Sequence, residues 1–363
     1  MRRVIYIIIA GLLIGAFLTA CGQKAAPQES SAQPSQETSP TPPPRPSAQK
    51  ELLDAILQRG KLICGVNGGL PGFSYLDKQS GQFTGFDADY CRVLAAALFD
   101  DPNRVEFRPL SAAERSVALQ TGEIDVLIRN TTWTISRDAT WGDFAPTIFY
   151  DGQGMMVRKG SGFTRLEDLN GATICVQSGT TTELNLADQM RLRNVTFTPL
   201  VFEEIDATYA AYEQKRCDAV TSDRSQLAAR RSAFTNPDEH VIMDVVLSKE
   251  PLGPVVPHGS PRWFDVVKWA VFATIQAEEF GITSQNIDRF MTTENPEIRR
   301  FLGLEGDLGQ QLGLSNDFTV RIIRHVGNYA EIYDRNLTPL GLKPRGLNAL
   351  WSQGGLLYSP PFR

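Results

Sequence analysis

Three histidines and five cysteines are spread over 363 residues, with no C-x-x-C or H-x-x-x-H spacing to hold a zinc ion. Neither a G-x-S-x-G elbow nor a paired-carboxylate spacing is present, so nucleophilic and acid/base chemistry lack their usual parts. What remains suits binding. Thr132 and Arg137 lie five positions apart at a helix start, where a guanidinium can make a surface salt bridge or grip a planar carboxylate through two parallel bonds. Gly179-Thr180-Thr181 precedes another helix, whose N–H groups and dipole favour an anion. Asp223, in Thr221-Ser222-Asp223, offers a fixed negative charge, or a cap for the helix from Ser225 to Arg231.

Composition narrows the class. The chain is 42% hydrophobic and 21% charged, which fits a globular protein of about two domains. Its 36 Lys plus Arg against 41 Asp plus Glu give −5, with no basic excess to neutralise nucleic-acid phosphates. No metal and no cofactor is expected, and no nucleic-acid partner.

Arg2 and Arg3 precede an apolar run from Val4 to Leu18, too short to cross a bilayer comfortably and suited to a signal peptide. Leu18-Thr19-Ala20-Cys21-Gly22 resembles the lipobox of bacterial lipoproteins. That resemblance implies a leader over 1–20 and lipidation of Cys21. Losing Arg2 and Arg3 leaves 34 cationic residues against 41 acidic ones, a net −7. From Gly22 to Gln49 there is no Leu, Ile, Val, Met or aromatic residue, so 21–50 reads as a Pro/Ser-rich disordered tether. At about 3.1 Å per residue it spans up to ~80 Å.

From Glu51 onward, short apolar runs alternate with 3.6-period segments, the signature of an α/β architecture. Strands are expected over Lys61–Asn67, Val105–Leu110 and Ile124–Ile128, with an amphipathic helix around Phe86 to Leu98. Ser111 with Glu114 has a capping-box spacing. Tyr150-Asp151-Gly152-Gln153-Gly154 reads as a crossing to a second series. There Met155–Arg158, Ala172–Gln177, Val195–Val201, Cys217–Thr221 and Val241–Val246 are expected strands. Thr180 with Glu183 repeats the capping spacing, and Asp206 is expected to cap the next helix. Ser248-Lys249-Glu250-Pro251 is a second crossing, followed by a long helix over Trp263–Glu279.

Four cysteines allow three connectivities. Cys64 and Cys91 fall in the first series, and Cys175 and Cys217 in the second. Pairing within each series keeps both bridges local, whereas cross-series bridges would lock a hinge. Local pairing is the expectation.

Cys64-Gly65-Val66-Asn67, Gly85-Phe86-Asp87-Ala88-Asp89-Tyr90-Cys91, Arg129-Asn130-Thr131-Thr132-Trp133-Thr134-Ile135-Ser136-Arg137 and Gly179-Thr180-Thr181-Thr182-Glu183 together resemble the periplasmic amino-acid-binding proteins of bacterial ABC uptake systems, solute-binding protein family 3. R-N-T-T-W-T and the long tail from Gly306 are similar to the general-amino-acid branch. The resemblance spans about Leu52 to Arg363. It implies the type II periplasmic-binding-protein fold: lobe one over 51–148 plus 251–363, lobe two over 152–247, and hinges at 149–153 and 248–251.

The resemblance also implies roles. Arg137, Thr132 and Thr181 would hold a ligand α-carboxylate, while Asp223 and the Asn130 carbonyl would hold the ammonium. Asn67, Leu70, Phe73 and Arg115 would line the side-chain pocket, with Arg115 favouring acidic ligands. Partners would be free L-amino acids and an inner-membrane ABC permease, with the protein an exported, lipid-anchored monomer. An amino-acid sensor or a dehydratase-type enzyme on the same fold are the alternatives. The second needs an acid/base pair, and His240, His258 and His325 lie outside the motifs.

Overall fold

The computed structural model describes residues 51–363; the expected leader, Cys21 and the tether lie outside them. Two sheets organise the chain. The first runs in the order Val105–Pro109, Leu62–Val66, Val126–Leu127, Val255–Val256, Asp143–Phe144. Its first three strands are parallel, and Val255–Val256 joins antiparallel. The second runs Thr198–Phe202, Thr173–Gln177, Ala219–Asp223, Phe149–Arg158, His240–Ile242. Its first three strands are again parallel, and Phe149–Arg158 is antiparallel to both its neighbours. Helices flank each sheet, as parallel connections require, giving two lobes.

The chain passes from the first sheet to the second and returns at Val255–Val256. Its two crossing segments pair with each other: Lys249 opposes Gly152, Glu250 opposes Asp151, Pro251 opposes Tyr150 and Leu252 opposes Phe149. The glycine-marked crossing at Tyr150–Gly154 is part of a ten-residue strand, Phe149–Arg158. Its glycines serve close packing, since a Cβ on Gly152 would lie 2.7 Å from Val246 Cγ1 and one on Gly154 2.8 Å from Arg224 Cγ.

Local chemistry sets the helix starts. Thr180 Oγ1 accepts the Glu183 N–H at 3.1 Å and Glu183 Oε2 accepts the Gly179 N–H at 3.0 Å, opening Thr181–Leu192. Ser111 Oγ accepts the Glu114 N–H at 3.3 Å and Glu114 Oε2 accepts the Ser111 N–H at 2.8 Å, although regular helix begins only at Arg115. Asp206 is not a cap. Its carboxylate pairs with Arg230 at 2.7 Å, and Glu204 occupies the N-cap position before Ile205–Glu213.

Two disulfides form, Cys64–Cys91 and Cys175–Cys217, with Cα separations of 6.1 and 5.7 Å. Each ties one strand of a sheet to a neighbouring segment of the same lobe. The tail packs against the first lobe: Tyr329 and Tyr333 are buried beside Phe86 and Phe149. Asn348 then brackets the crossing strand, accepting the Tyr150 N–H at 2.7 Å and donating to the Tyr150 carbonyl at 3.0 Å.

Candidate functional site

The first lobe contributes the loop after Val126–Leu127. Asn130 sits there with φ +35°, a left-handed conformation that asparagine tolerates. Asp87, from the Gly85-Phe86-Asp87 motif, accepts its backbone N–H at 2.9 Å. Burial pushes the Asp87 carboxyl up to about 7, against the opposing pull of the Asn130 N–H and the Arg129 charge. Asp89 ties in the tail, accepting Arg335 and Asn336 at 2.7 Å each. The motif's two carboxylates thus fix the framework around the loop.

Thr134 caps the helix Ile135–Thr140 by accepting the Arg137 N–H. The Arg137 guanidinium, on a residue 7% exposed, donates from Nη1 to the Thr132 carbonyl at 3.0 Å and lies 4.7 Å over the Trp141 ring. Arg115 is 3% exposed and stacks on the same indole at 5.3 Å. It reaches Thr131 Oγ1 and the Gly179 carbonyl only at 3.4 and 3.3 Å, and its Nε has no partner among the described residues. Burial lowers the pKa of both guanidiniums; for Arg115 the Arg137 and Arg129 charges add to it, while Glu250 and Asp223 oppose it at Arg137. Arg129 is the third buried cation, lowered to about 10 mainly by burial.

The second lobe faces these cations with a carboxylate. Asp223 ends the strand Ala219–Asp223, is 5% exposed, and although it occupies the N-cap position of Arg224–Ser232 its side chain makes no capping bond. Burial first, then the nearby Asp151 and Glu250 carboxylates, raise it well above the carboxylate range, against the pull of Arg115 and Arg137. A buried acid held up in this way favours a cation as its neighbour.

The lobes meet directly. Asn130 Nδ2 donates to Gln226 Oε1 at 3.0 Å, Arg230 Nη1 donates to the Gly69 carbonyl at 2.7 Å, and the hydroxyls of Thr132 and Thr181 lie 3.4 Å apart. Asn67 joins them, its Nδ2 donating to Asn130 Oδ1 at 3.5 Å. Arg137, Thr132, Thr181, Asp223, Asn130, Asn67 and Arg115 are therefore brought to one seam. Leu70 is fully buried on a short strand that packs against Arg224–Ser232 of the second lobe. Phe73 is not part of the seam. Its ring makes edge contacts with Phe86 and Phe149 at 6.1 and 5.4 Å, because an aromatic ring next to an apolar cluster gains most by joining the core.

Sequence reasoning missed Glu250, Trp141 and Gln226. Trp141 stands four residues after Arg137, one helical turn, so its stacking was available from spacing. Glu250 carried no local signal, since its partners Thr132 and Thr181 are 118 and 69 residues away. The histidines are engaged elsewhere: His240 with Tyr212, His258 with Asp143 and His325 with Asp100.

Buried guanidiniums on one lobe and a buried carboxylate on the other have the chemistry to accept a molecule carrying both charges. Known proteins bear on what that molecule is. Residues 62–286 match the bacterial extracellular solute-binding proteins, family 3. The general L-amino acid-binding periplasmic protein AapJ of Rhizobium johnstonii is 51% identical over 323 residues, covering 87% of this chain and 94% of its own length. The glutamate/glutamine/aspartate/asparagine-binding protein BztA of Rhodobacter capsulatus is 48% identical over 322 residues, covering 87% of this chain and 95% of its own. A solved periplasmic binding protein of an ABC transporter from Brucella ovis, with glutathione bound, is 50% identical with a TM-score of 0.84, covering 86% of this chain and 99% of that one. The mixed α/β architecture is the two-lobed periplasmic-binding-protein fold anticipated from the sequence. By the extent of these matches, the chain belongs to family 3 of the bacterial extracellular solute-binding proteins.

Proposed function

We propose that the chain is the extracytoplasmic binding component of an amino-acid ABC transporter, which traps L-amino acids between its lobes and delivers them to a permease in the inner membrane. One observation carries this reading: buried Arg137 lies between two strands of the first sheet, buried Asp223 ends a strand of the second, and both border one seam. An α-amino acid presents a carboxylate and an ammonium one carbon apart, so it can give each residue its counter-charge. In this reading Arg137, Thr132 and Thr181 take the carboxylate, and Asp223 and the Asn130 carbonyl take the ammonium. Asn67, Leu70 and Arg115 border the side chain. Lobe one runs over 51–148 plus 251–363 and lobe two over 152–247, bending at 149–153 and 248–251.

A zwitterion that touches both lobes stabilises the closed form over the open one. Three charge-assisted contacts near the upper end of roughly 1.5–3 kcal/mol each reach the ~8 kcal/mol of micromolar binding without any side-chain preference. The relatives' names support a broad range that includes acidic and amide side chains. Glutathione in the Brucella ovis protein fits the same chemistry, because its glutamyl end carries a free α-carboxylate and α-ammonium. Arg115, buried beside the seam with an Nε that has no partner among the described residues, favours acidic or polar side chains. The ligand leaves unchanged, so the protein acts as a receptor and not an enzyme. It works as a monomer outside the inner membrane, held by lipid at Cys21 on the 21–50 tether.

The test is a thermal-shift screen of the ligand-stripped protein against the twenty amino acids, their amides and their decarboxylated amines, with hits taken to calorimetry. L-Amino acids stabilise it, and molecules lacking either α-charge do not. Failure of every amino acid to bind refutes the reading.

A further inference from the structure

The proposed binding reaction leaves the buried Glu250 at the seam without a role. Glu250 lies on the returning strand Lys249–Leu252 and is 1% exposed. Its Oε2 accepts Thr132 Oγ1 at 2.6 Å and Thr181 Oγ1 at 2.8 Å. Its Oε1 accepts Asn185 Nδ2 at 3.0 Å and the Ser248 hydroxyl. A single carboxylate thus joins the first lobe, the second lobe and the strand between them.

Two consequences follow from this bonding. A carboxylate only accepts, so both threonine hydroxyls direct their protons to Glu250 and turn lone pairs toward the seam. The backbone N–H groups of Thr132 and Thr181, by contrast, have no acceptor among the described residues. The hydroxyl oxygens are 3.4 Å apart, close enough to share one carboxylate oxygen only while the lobes are together. Parting the lobes breaks at least one of the two bonds.

We infer that Glu250 is a positioning residue that latches the closed form through Thr132 and Thr181, and that leaves the ligand carboxylate to Arg137 and the two free N–H groups instead of the hydroxyls. This inference rests on the reading of the seam as an amino-acid site. Apparent affinity scales with the fraction of protein able to close. The latch touches no ligand side chain, so its loss weakens every amino acid by a common factor.

The experiment measures calorimetric Kd values for three amino acids on the full chain, with small-angle scattering of the ligand-free and saturated states. Glu250→Gln weakens all three by a common factor of about tenfold and makes the ligand-free protein less compact. Thr181→Val costs less in the Glu250→Gln background than in the wild type, because both act through one contact. A purely structural role would lower the melting temperature with no such coupling in Kd. Unchanged affinity in Glu250→Gln, or additive losses in the double variant, overturns the latch. If Glu250→Gln does not fold, Thr132→Val, Thr181→Val and their double variant carry the same test of a shared factor and non-additive losses. A wild type that binds no amino acid refutes the receptor reading instead, and the scattering comparison then decides the latch by itself.

Discussion

Asp87 holds Asn130 in its left-handed conformation by accepting the Asn130 N–H at 2.9 Å. The bond reaches from the helix Phe86–Phe99 into the loop that leads to Thr132 and Arg137, so a residue outside the seam sets the backbone of the seam. Asp87→Ala leaves that N–H without its acceptor. The expected result is a loss of about 1–3 kcal/mol of stability together with weaker amino-acid binding, read by chemical denaturation and calorimetry.

The same carboxyl makes stability depend on pH. In the folded chain Asp87 keeps its proton up to about 7, against a usual value of 3.8. Between those values the folded state binds the extra proton, so this contribution weakens as pH rises from about 4 to 7. Asp87→Asn still offers an oxygen to the Asn130 N–H but has no proton to lose. Denaturation from pH 4 to 7 gives a flatter profile in Asp87→Asn; parallel profiles would remove Asp87 as the source.

Arg137→Ala abolishes amino-acid binding while leaving the circular dichroism spectrum native. Arg137→Lys falls between, because an ammonium keeps the charge but lacks the planar fork. Calorimetry with unchanged affinity in Arg137→Ala would take Arg137 out of the site.

Asp223→Asn separates stability from binding. The wild-type carboxylate is buried near Asp151 and Glu250, and the folded state holds it well above its usual pKa. Ionising it at neutral pH therefore opposes folding. The amide removes that cost, so the ligand-free variant melts higher at pH 8 and binds amino acids at least tenfold more weakly. Thermal melts and calorimetry on one preparation read both effects.

The two disulfides act on stability alone. Each closes a loop within one lobe, with sequence separations of 27 and 42, worth about 3.5–4 kcal/mol apiece in the chain-entropy description. Cys64→Ala with Cys91→Ala lowers the denaturation midpoint and leaves affinity within about twofold, as the bridge does not cross the seam. A large drop in affinity at temperatures where the variant is folded would contradict this.

Elements defined by neighbouring residues were legible in the sequence. The Thr180/Glu183 cap and the helix after it depend on atoms three residues apart, and the strand Leu62–Val66 on one apolar run. The resemblance of the Arg129–Arg137 and Gly179–Glu183 stretches brought the seam residues forward as candidates. Tertiary competition decided the rest. Asp206 has the right type and position for a cap, yet Arg230 offers its carboxylate a cation at 2.7 Å. Phe73 was a candidate for the side-chain pocket, yet Phe86 and Phe149 offer it a core. That the crossing at Tyr150–Gly154 lies within one long strand was not legible, because its strand partners on both edges are distant along the chain. Glu250 stayed hidden because the two threonines that give it a place at the seam are distant along the chain.

The Asn348 bracket on Tyr150 joins residues 198 positions apart. The strand that connects the lobes is therefore completed by a part of the chain that is synthesised long after it. A ribosome-bound or truncated chain ending before residue 348 can build both sheets, but it leaves the Tyr150 backbone groups to water. Contacts this distant along the chain form late and slow the search for the native state. The bracket on the crossing strand therefore closes only when nearly the whole sequence is present.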